Sequence, residues 1–216
     1  MSSKKQKVDQ TNPQIPQHEC FDDNDDDAYM SDEDSNIVFG ITTVINLDST
    51  NDIQVTQQIK NFLLVKAENN ANHDVLLSFK NALQNESVGL LINERYVNIP
   101  PQITLPLFQS LKSEITVAIS KKKPFDFKSI ILISKFYRKE DSNGKVIEEI
   151  LTNSEEEVFA PFTIASFDYC VKTEADTGLD GNWEEGDSVL IPYRKVSLIN
   201  SSKLTNIIDS IKELLE

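Results

Sequence analysis

The chain is short of the residues that build most catalytic sites. Among its 216 residues stand two histidines, two cysteines and one tryptophan. His18 falls in a polar, acidic stretch and His73 in a polar helical pattern, so neither Ser-His-Asp nor Cys-His chemistry nor a zinc ligand set can be assembled. Glycine is scarce at six, and no spacing among Gly40, Gly89, Gly144, Gly178, Gly181 and Gly186 makes a phosphate-cradling or dinucleotide-binding loop. Cys20 belongs to the polar N-terminal stretch and Cys170 to an apolar strand pattern; no disulfide is expected, and Cys170 reads as a core residue. No run approaches the ~20 apolar residues of a membrane span. The first residues hold no apolar stretch of the kind a secretory signal uses, which places the expected protein in the cytosol or nucleus. Basic residues are also in deficit: 21 Lys and Arg face 35 Asp and Glu, for a net charge of −14. Nucleic-acid binding needs a basic face that releases counterions, so a basic protein surface is the better-matched partner.

What the chain does have is a composition that folds, with 39% hydrophobic and 26% charged residues. Residues 1–36 are the exception. They hold three lysines against eight Asp and two Glu, with Pro13, Pro16 and the run Asp22-Asp23-Asn24-Asp25-Asp26-Asp27. Such a stretch buries too little apolar area to offset chain entropy and reads as a disordered acidic tail. A single α/β domain over 37–216 is expected to follow.

That domain opens on Ile37 to Leu47, β-branched and apolar on both faces, which reads as a covered central strand. Val55, Ile59, Phe62, Leu63 and Lys66 fall on helical spacing after the N-cap candidate Asp52, and a second helix follows around Val75, Leu76, Phe79 and Leu83; both are expected over the first strand. A buried strand from Ser87 to Asn93 runs on toward Ile99 and stops at Pro100-Pro101. A third helix carries Leu107, Phe108, Leu111, Ile115, Ala118 and Ile119 and ends at Lys121-Lys122-Lys123, where cations suit the carbonyl end of the helix dipole. Ile130 to Ile133 is a buried strand, joined through Asp141-Ser142-Asn143-Gly144 to a stretch at 146–151. Ala165, Phe167, Tyr169 and Val171 alternate with polar residues at the period of a one-sided strand, and Leu190 to Ile199 gives another. Leu204, Ile207, Ile208, Ile211, Leu214 and Leu215 form the stripe of a closing helix that docks on the protein's own sheet. Without regular βαβ repetition, the reading is an α/β protein with a mixed, largely antiparallel sheet covered by helices.

The functional candidates are acidic. Glu155, Glu156 and Glu157 come first, then Glu174, Asp176, Asp180, Glu184 and Glu185 around Trp183. Two readings stand for these residues, a solvated acidic surface and a surface that recognises a basic partner. Trp183 is either an interface anchor at the rim or a lid over the sheet edge. The segment 176–182 is faintly like a calcium loop, but Asp187 stands where the twelfth-position glutamate belongs, so no metal and no cofactor is expected.

Three segments together resemble the BCCIP family: Val38-Phe39-Gly40 with its strand; Val88 through Ile103, with Asn93-Glu94-Arg95-Tyr96-Val97-Asn98-Ile99-Pro100-Pro101; and Tyr169 through Trp183 followed by Leu190-Ile191-Pro192-Tyr193-Arg194. The resemblance implies a nuclear or nucleocytoplasmic, non-enzymatic adaptor and chaperone that guards a basic protein of the large ribosomal subunit, with links to nuclear export and the cell cycle; a monomer is expected. It implies a fold similar to GCN5-related acetyltransferases without their activity; an acyltransferase is the alternative, and the Arg/Gln-x-x-Gly-x-Gly/Ala loop such enzymes use for acetyl-CoA is absent. The family pattern also implies a further strand and helices ahead of the acidic run.

Overall fold

Strand and helix alternate along the chain because apolar residues recur at period two in some stretches and at helical spacing in others. A computed structural model describes residues 38–47, 54–141, 144–172 and 189–216. The acidic stretch 1–36, Asp52, the Ser142-Asn143 turn, and Glu174, Asp176, Asp180, Trp183, Glu184 and Glu185 lie outside the described residues.

The described elements are β1 (Gly40–Asn46), α1 (Gln54–Asn70), α2 (His73–Asn85), β2 (Val88–Arg95), α3 (Thr104–Ser120), β3 (Ser129–Glu140), β4 (Val146–Leu151), β5 (Thr163–Cys170), β6 (Val189–Asn200) and α4 (Leu204–Leu215), with 3-10 turns at Pro101–Ile103, Ser154–Phe162 and Ser201–Lys203. Six described strands form one sheet in the order β1-β2-β3-β6-β5, with β4 on β3. Only the β2/β3 pairing is parallel; the others are antiparallel. The expected mixed, mostly antiparallel α/β architecture is therefore what the chain forms.

Two apolar layers sandwich the sheet. On one face Leu90, Ile131, Phe167, Tyr169, Val196 and Leu198 pack with Leu63 and Ala67 of α1 and Phe79 and Leu83 of α2. On the other, Val44, Leu91, Ile130, Leu132 and Ile199 pack with Phe108 and Leu111 of α3 and Ile207, Ile208 and Ile211 of α4. The closing helix thus docks on its own sheet, entered through a turn where the Asn200 side chain accepts from the Ser202 amide at 3.0 Å. Helix α2 starts where Asn72 Oδ1 accepts from the Val75 N–H at 3.0 Å, satisfying an amide that has no intrahelical acceptor.

Four expectations are corrected. Strand β1 is not central: it ends the described sheet order, and Ile41 is 49% exposed. Helices α1 and α2 pack on β5 rather than β1, and α3 lies against β1 instead. The buried stripe of α1 is Thr56, Lys60, Leu63 and Ala67, so Val55 and Phe62 face outward. Cys170 is exposed rather than core, because the apolar layer under α1 and α2 takes Phe167 and Tyr169 and leaves Cys170 on the opposite face.

The site is positioned by β3. Strand β6 pairs along its whole length, from Ser129↔Asn200 to Glu140↔Val189. The other edge is shared: β2 pairs from Val88↔Ser129 to Leu91↔Leu132, and β4 takes over from Phe136↔Leu151. Between those pairings β2 diverges from β3, and chain just after β4 enters the gap. The Thr152 amide donates to the Lys135 carbonyl at 2.9 Å, and Asn153 Nδ2 donates to the Asn93 carbonyl at 3.2 Å.

Candidate functional site

The Glu155-Glu156-Glu157 run lies in the 3-10 turns that follow this gap. Glu155 and Glu156 are 1% and 5% exposed, while Glu157 is exposed. The expectation of a continuous solvated acidic surface is therefore corrected for the first two, which turn inward. Their burial is made tolerable by polar residues on the diverging end of β2: past the apolar Leu91, Asn93 and Arg95 point to the same face of the sheet, as alternate strand residues do.

Each carboxylate meets a different neighbour. Arg95 holds Glu155 bidentately, Nε to Oε1 at 3.0 Å and Nη2 to Oε2 at 3.1 Å, while its Nη1 donates to the Ile99 carbonyl at 2.8 Å. Thr104 Oγ1, at the start of α3, donates to Glu155 Oε1 at 2.9 Å. Burial pushes the Glu155 pKa upward, but the Arg95 fork, a backbone amide and the Thr104 hydroxyl together outweigh it, and the net direction is down. The Arg95 pKa is raised by the same hydrogen bonds, against burial. Glu155 is an ionised anchor joining β2, α3 and the 154–162 turns.

Glu156 meets amides and the Ser134 hydroxyl instead of a cation fork. Its Oε1 accepts from Asn93 Nδ2 at 3.0 Å and Asn153 Nδ2 at 3.1 Å, and Asn93 Oδ1 in turn accepts from Thr42 Oγ1 of β1 at 2.9 Å. Oε2 is buried with no hydrogen-bond partner among the described residues. Burial raises the Glu156 pKa, and the opposing pull of Ser134, Asn93 and Asn153 does not cancel it. Two adjacent glutamates are thus driven apart, one toward the charged form and the other toward the neutral one.

Beside them opens a cavity of about 460 Å³, walled by Phe136, Leu151 and Phe159 and rimmed by Glu148, Glu149 and Glu157. Across the sheet, Arg138 bridges Glu149 at 2.8 Å and Asp168 at 2.7 Å and lies 4.2 Å over the Tyr193 ring. Burial raises the Asp168 pKa despite Lys195 and Arg138. Lys195 sits 3.7 Å from Glu149 and 5.2 Å over the Phe136 ring. Among the described residues no group of three or more His, Cys, Asp or Glu is placed to hold a metal ion.

The BCCIP family model matches residues 7–159, most of this chain. The chain belongs to the BCCIP family. The Protein BCCIP homolog of Drosophila melanogaster is 41% identical over 199 residues, covering 88% of this chain and 67% of that protein. The BRCA2 and CDKN1A-interacting protein of Bos taurus is 34% identical over 212 residues, covering 93% and 68%. Among solved structures, BCP1 from Saccharomyces cerevisiae aligns over 89% of this chain and 94% of its own at 15% identity, with a TM-score of 0.44. Within the BCCIP match lie both halves of the buried cluster, Asn93 and Arg95 on one side and Glu155 and Glu156 on the other. Asn93 and Arg95 enter the sequence reading as part of the segment that resembles the family and not as site residues, and Asn153, Thr104, Ser134 and Lys195 are not site candidates there. The available signal was the placement of Asn93 and Arg95 at inward alternate positions directly after Leu91, which demands buried polar partners.

Proposed function

We propose that this protein is a non-enzymatic adaptor or chaperone of the nucleus and cytoplasm, acting as a monomer that shields a basic protein, with a large-subunit ribosomal protein as the intended partner. Roles in nuclear export and the cell cycle follow from the same reading. What carries it is membership of a family whose relatives include one named for its interaction with BRCA2 and CDKN1A. Two properties of the chain support it. The charge of −14 steers a lysine- and arginine-rich partner in and penalises acidic competitors. The buried ion pair is spent on structure, since Arg95 and Thr104 hold Glu155 between elements. The contact surface then falls to Glu157, which is exposed, and to the acids of the sequence around Trp183, Glu174, Asp176, Asp180, Glu184 and Glu185, with Trp183 as the apolar anchor.

The test is affinity capture of the tagged full-length chain from native extract at low and high salt, with mass spectrometry of the eluate and reconstitution of the hit from purified components. Salt-sensitive recovery of one basic protein that rebinds when purified supports the reading. Recovery of nothing, or of general folding chaperones alone, overturns it.

A further inference from the structure

Glu156 lines a cavity that opens to solvent, and one of its carboxylate oxygens is buried there without a hydrogen-bond partner among the described residues, a costly combination. Glu156 is 5% exposed, its Oε1 is saturated by two amides, and Oε2 has no hydrogen-bond partner among the described residues. A buried carboxylate oxygen left unsatisfied by the protein is rare and is completed by a donor from outside the chain. The cavity walls narrow the chemistry of that ligand. Ser134 of β3 and Ser197 of β6, both buried, bring hydroxyl oxygens to the same space. Phe136, Leu151 and Phe159 make an apolar sleeve, and Glu148, Glu149 and Glu157 ring the mouth. The one cation of the wall, Lys195, is already turned to Glu149 and the Phe136 ring. Acidic mouth, apolar sleeve and a floor of one free carboxylate oxygen with two hydroxyls describe a receptor for a primary ammonium on an aliphatic stem.

We infer that this cavity is a lysine-binding subsite, in which a lysine of the basic partner threads its methylenes along the Phe136 and Phe159 wall and places its ammonium on Glu156 Oε2. The ammonium carries three donors, and Glu156 Oε2, Ser134 Oγ and Ser197 Oγ offer three acceptors. An arginine fork needs two free oxygens of one carboxylate, and Glu156 has already committed one to Asn93 and Asn153. The described acids do not converge as a metal cage, which leaves the organic cation. Burial favours the neutral carboxyl, so the arriving ammonium ionises Glu156 and a proton leaves to solvent. The inference deepens the proposed function and rests on it, because it needs a basic partner to supply the lysine.

The experiment uses the full chain and two probes, n-butylammonium with its neutral analogue n-pentanol, and a deca-lysine peptide. NMR follows the side-chain amides of Asn93 and Asn153 and the carboxyl carbon of Glu156. Expected are saturable shifts at all three with butylammonium, at about millimolar affinity for so small a ligand, none with pentanol, and a fall in the Glu156 pKa on binding. In Glu156→Gln the butylammonium response disappears and deca-lysine binds roughly tenfold more weakly or worse. Because that variant also alters the buried cluster, Glu148→Gln/Glu157→Gln, both exposed positions, serves as a second one and weakens both probes while leaving thermal stability unchanged. Deca-lysine binding that is the same in all three chains, without shifts at Asn93, Asn153 or Glu156, overturns the subsite and leaves the basic-partner reading standing. Absence of deca-lysine binding to the unaltered chain overturns both.

Discussion

Replacing Arg95 by Met keeps most of the aliphatic stem and removes the charge from a pair whose side chains are 9% and 1% exposed. Glu155 is then left buried with Thr104 as its remaining side-chain donor. Breaking a buried ion pair from one side costs about 3–5 kcal/mol, mostly the penalty of the stranded charge. For a domain of this size each kcal/mol lowers Tm by roughly 2–4 °C, so the variant melts roughly 6–20 °C below the unaltered chain. Glu155→Gln in the same chain removes the stranded charge while keeping an acceptor for Thr104, so Arg95→Met/Glu155→Gln is more stable than Arg95→Met alone. The pH dependence has a definite sign. In the unaltered chain the Glu155 pKa is lowered, so its contribution is present above the ordinary carboxylate pKa and is lost as pH falls through the lowered value. Without Arg95 the buried carboxyl prefers its neutral form, so the deficit of Arg95→Met shrinks as the solution is acidified. Circular dichroism melts of the three chains at several pH values read all of this. A Tm drop below about 2 °C, or a double variant no better than Arg95→Met, refutes the assignment of Glu155 as an ionised anchor.

Glu156 carries the opposite sign. Its folded pKa is raised, so its ionisation penalty grows as pH climbs from the ordinary carboxylate value through the raised one and is constant above it; the stability of Glu156→Gln relative to the unaltered chain therefore increases with pH, as urea titrations will show. Gly89 lies where a Cβ would stand 2.6 Å from Val44 Cγ2 and 3.1 Å from the Phe127 ring, so Gly89→Ala overpacks the β1/β2 junction and costs about 1–3 kcal/mol by urea denaturation. On α4, Ile211 is fully buried and Leu214 is 54% exposed. Ile211→Ala therefore costs about 2–5 kcal/mol and Leu214→Ala stays within about 0.5 kcal/mol, which calorimetric melts will separate.

Local pattern made much of this fold legible. Ala165, Phe167 and Tyr169 alternate and do bury one face of β5, and the stripe of α4 does dock on the protein's own sheet. The failures are non-local. The residues of β1 are apolar enough for a central strand, and only the pairing order, set by contacts 40 and more positions away along the chain, puts it at the end of the described sheet. In α1, Thr56 and Lys60 are buried in place of Val55 and Phe62, because packing on α2 and on β5, far downstream in the chain, decides which helix face turns in. Three consecutive glutamates read as solvated because nothing within a few residues can neutralise them. Arg95, which neutralises Glu155, is 60 positions earlier. That separation also hid the candidate site: the acids were visible, but which of them remain at the surface was not.

The most direct test of the functional account is the affinity of the captured basic partner for the unaltered chain and for a chain in which Glu174, Asp176, Asp180, Glu184 and Glu185 are all replaced by Lys, measured across a range of salt. Electrostatic recognition predicts that the unaltered complex weakens steeply with salt and that the reversed chain binds on the order of tenfold more weakly or worse, with the salt dependence largely gone. Equal affinity and an equal salt slope in the two chains would contradict it and take the contact surface away from these acids.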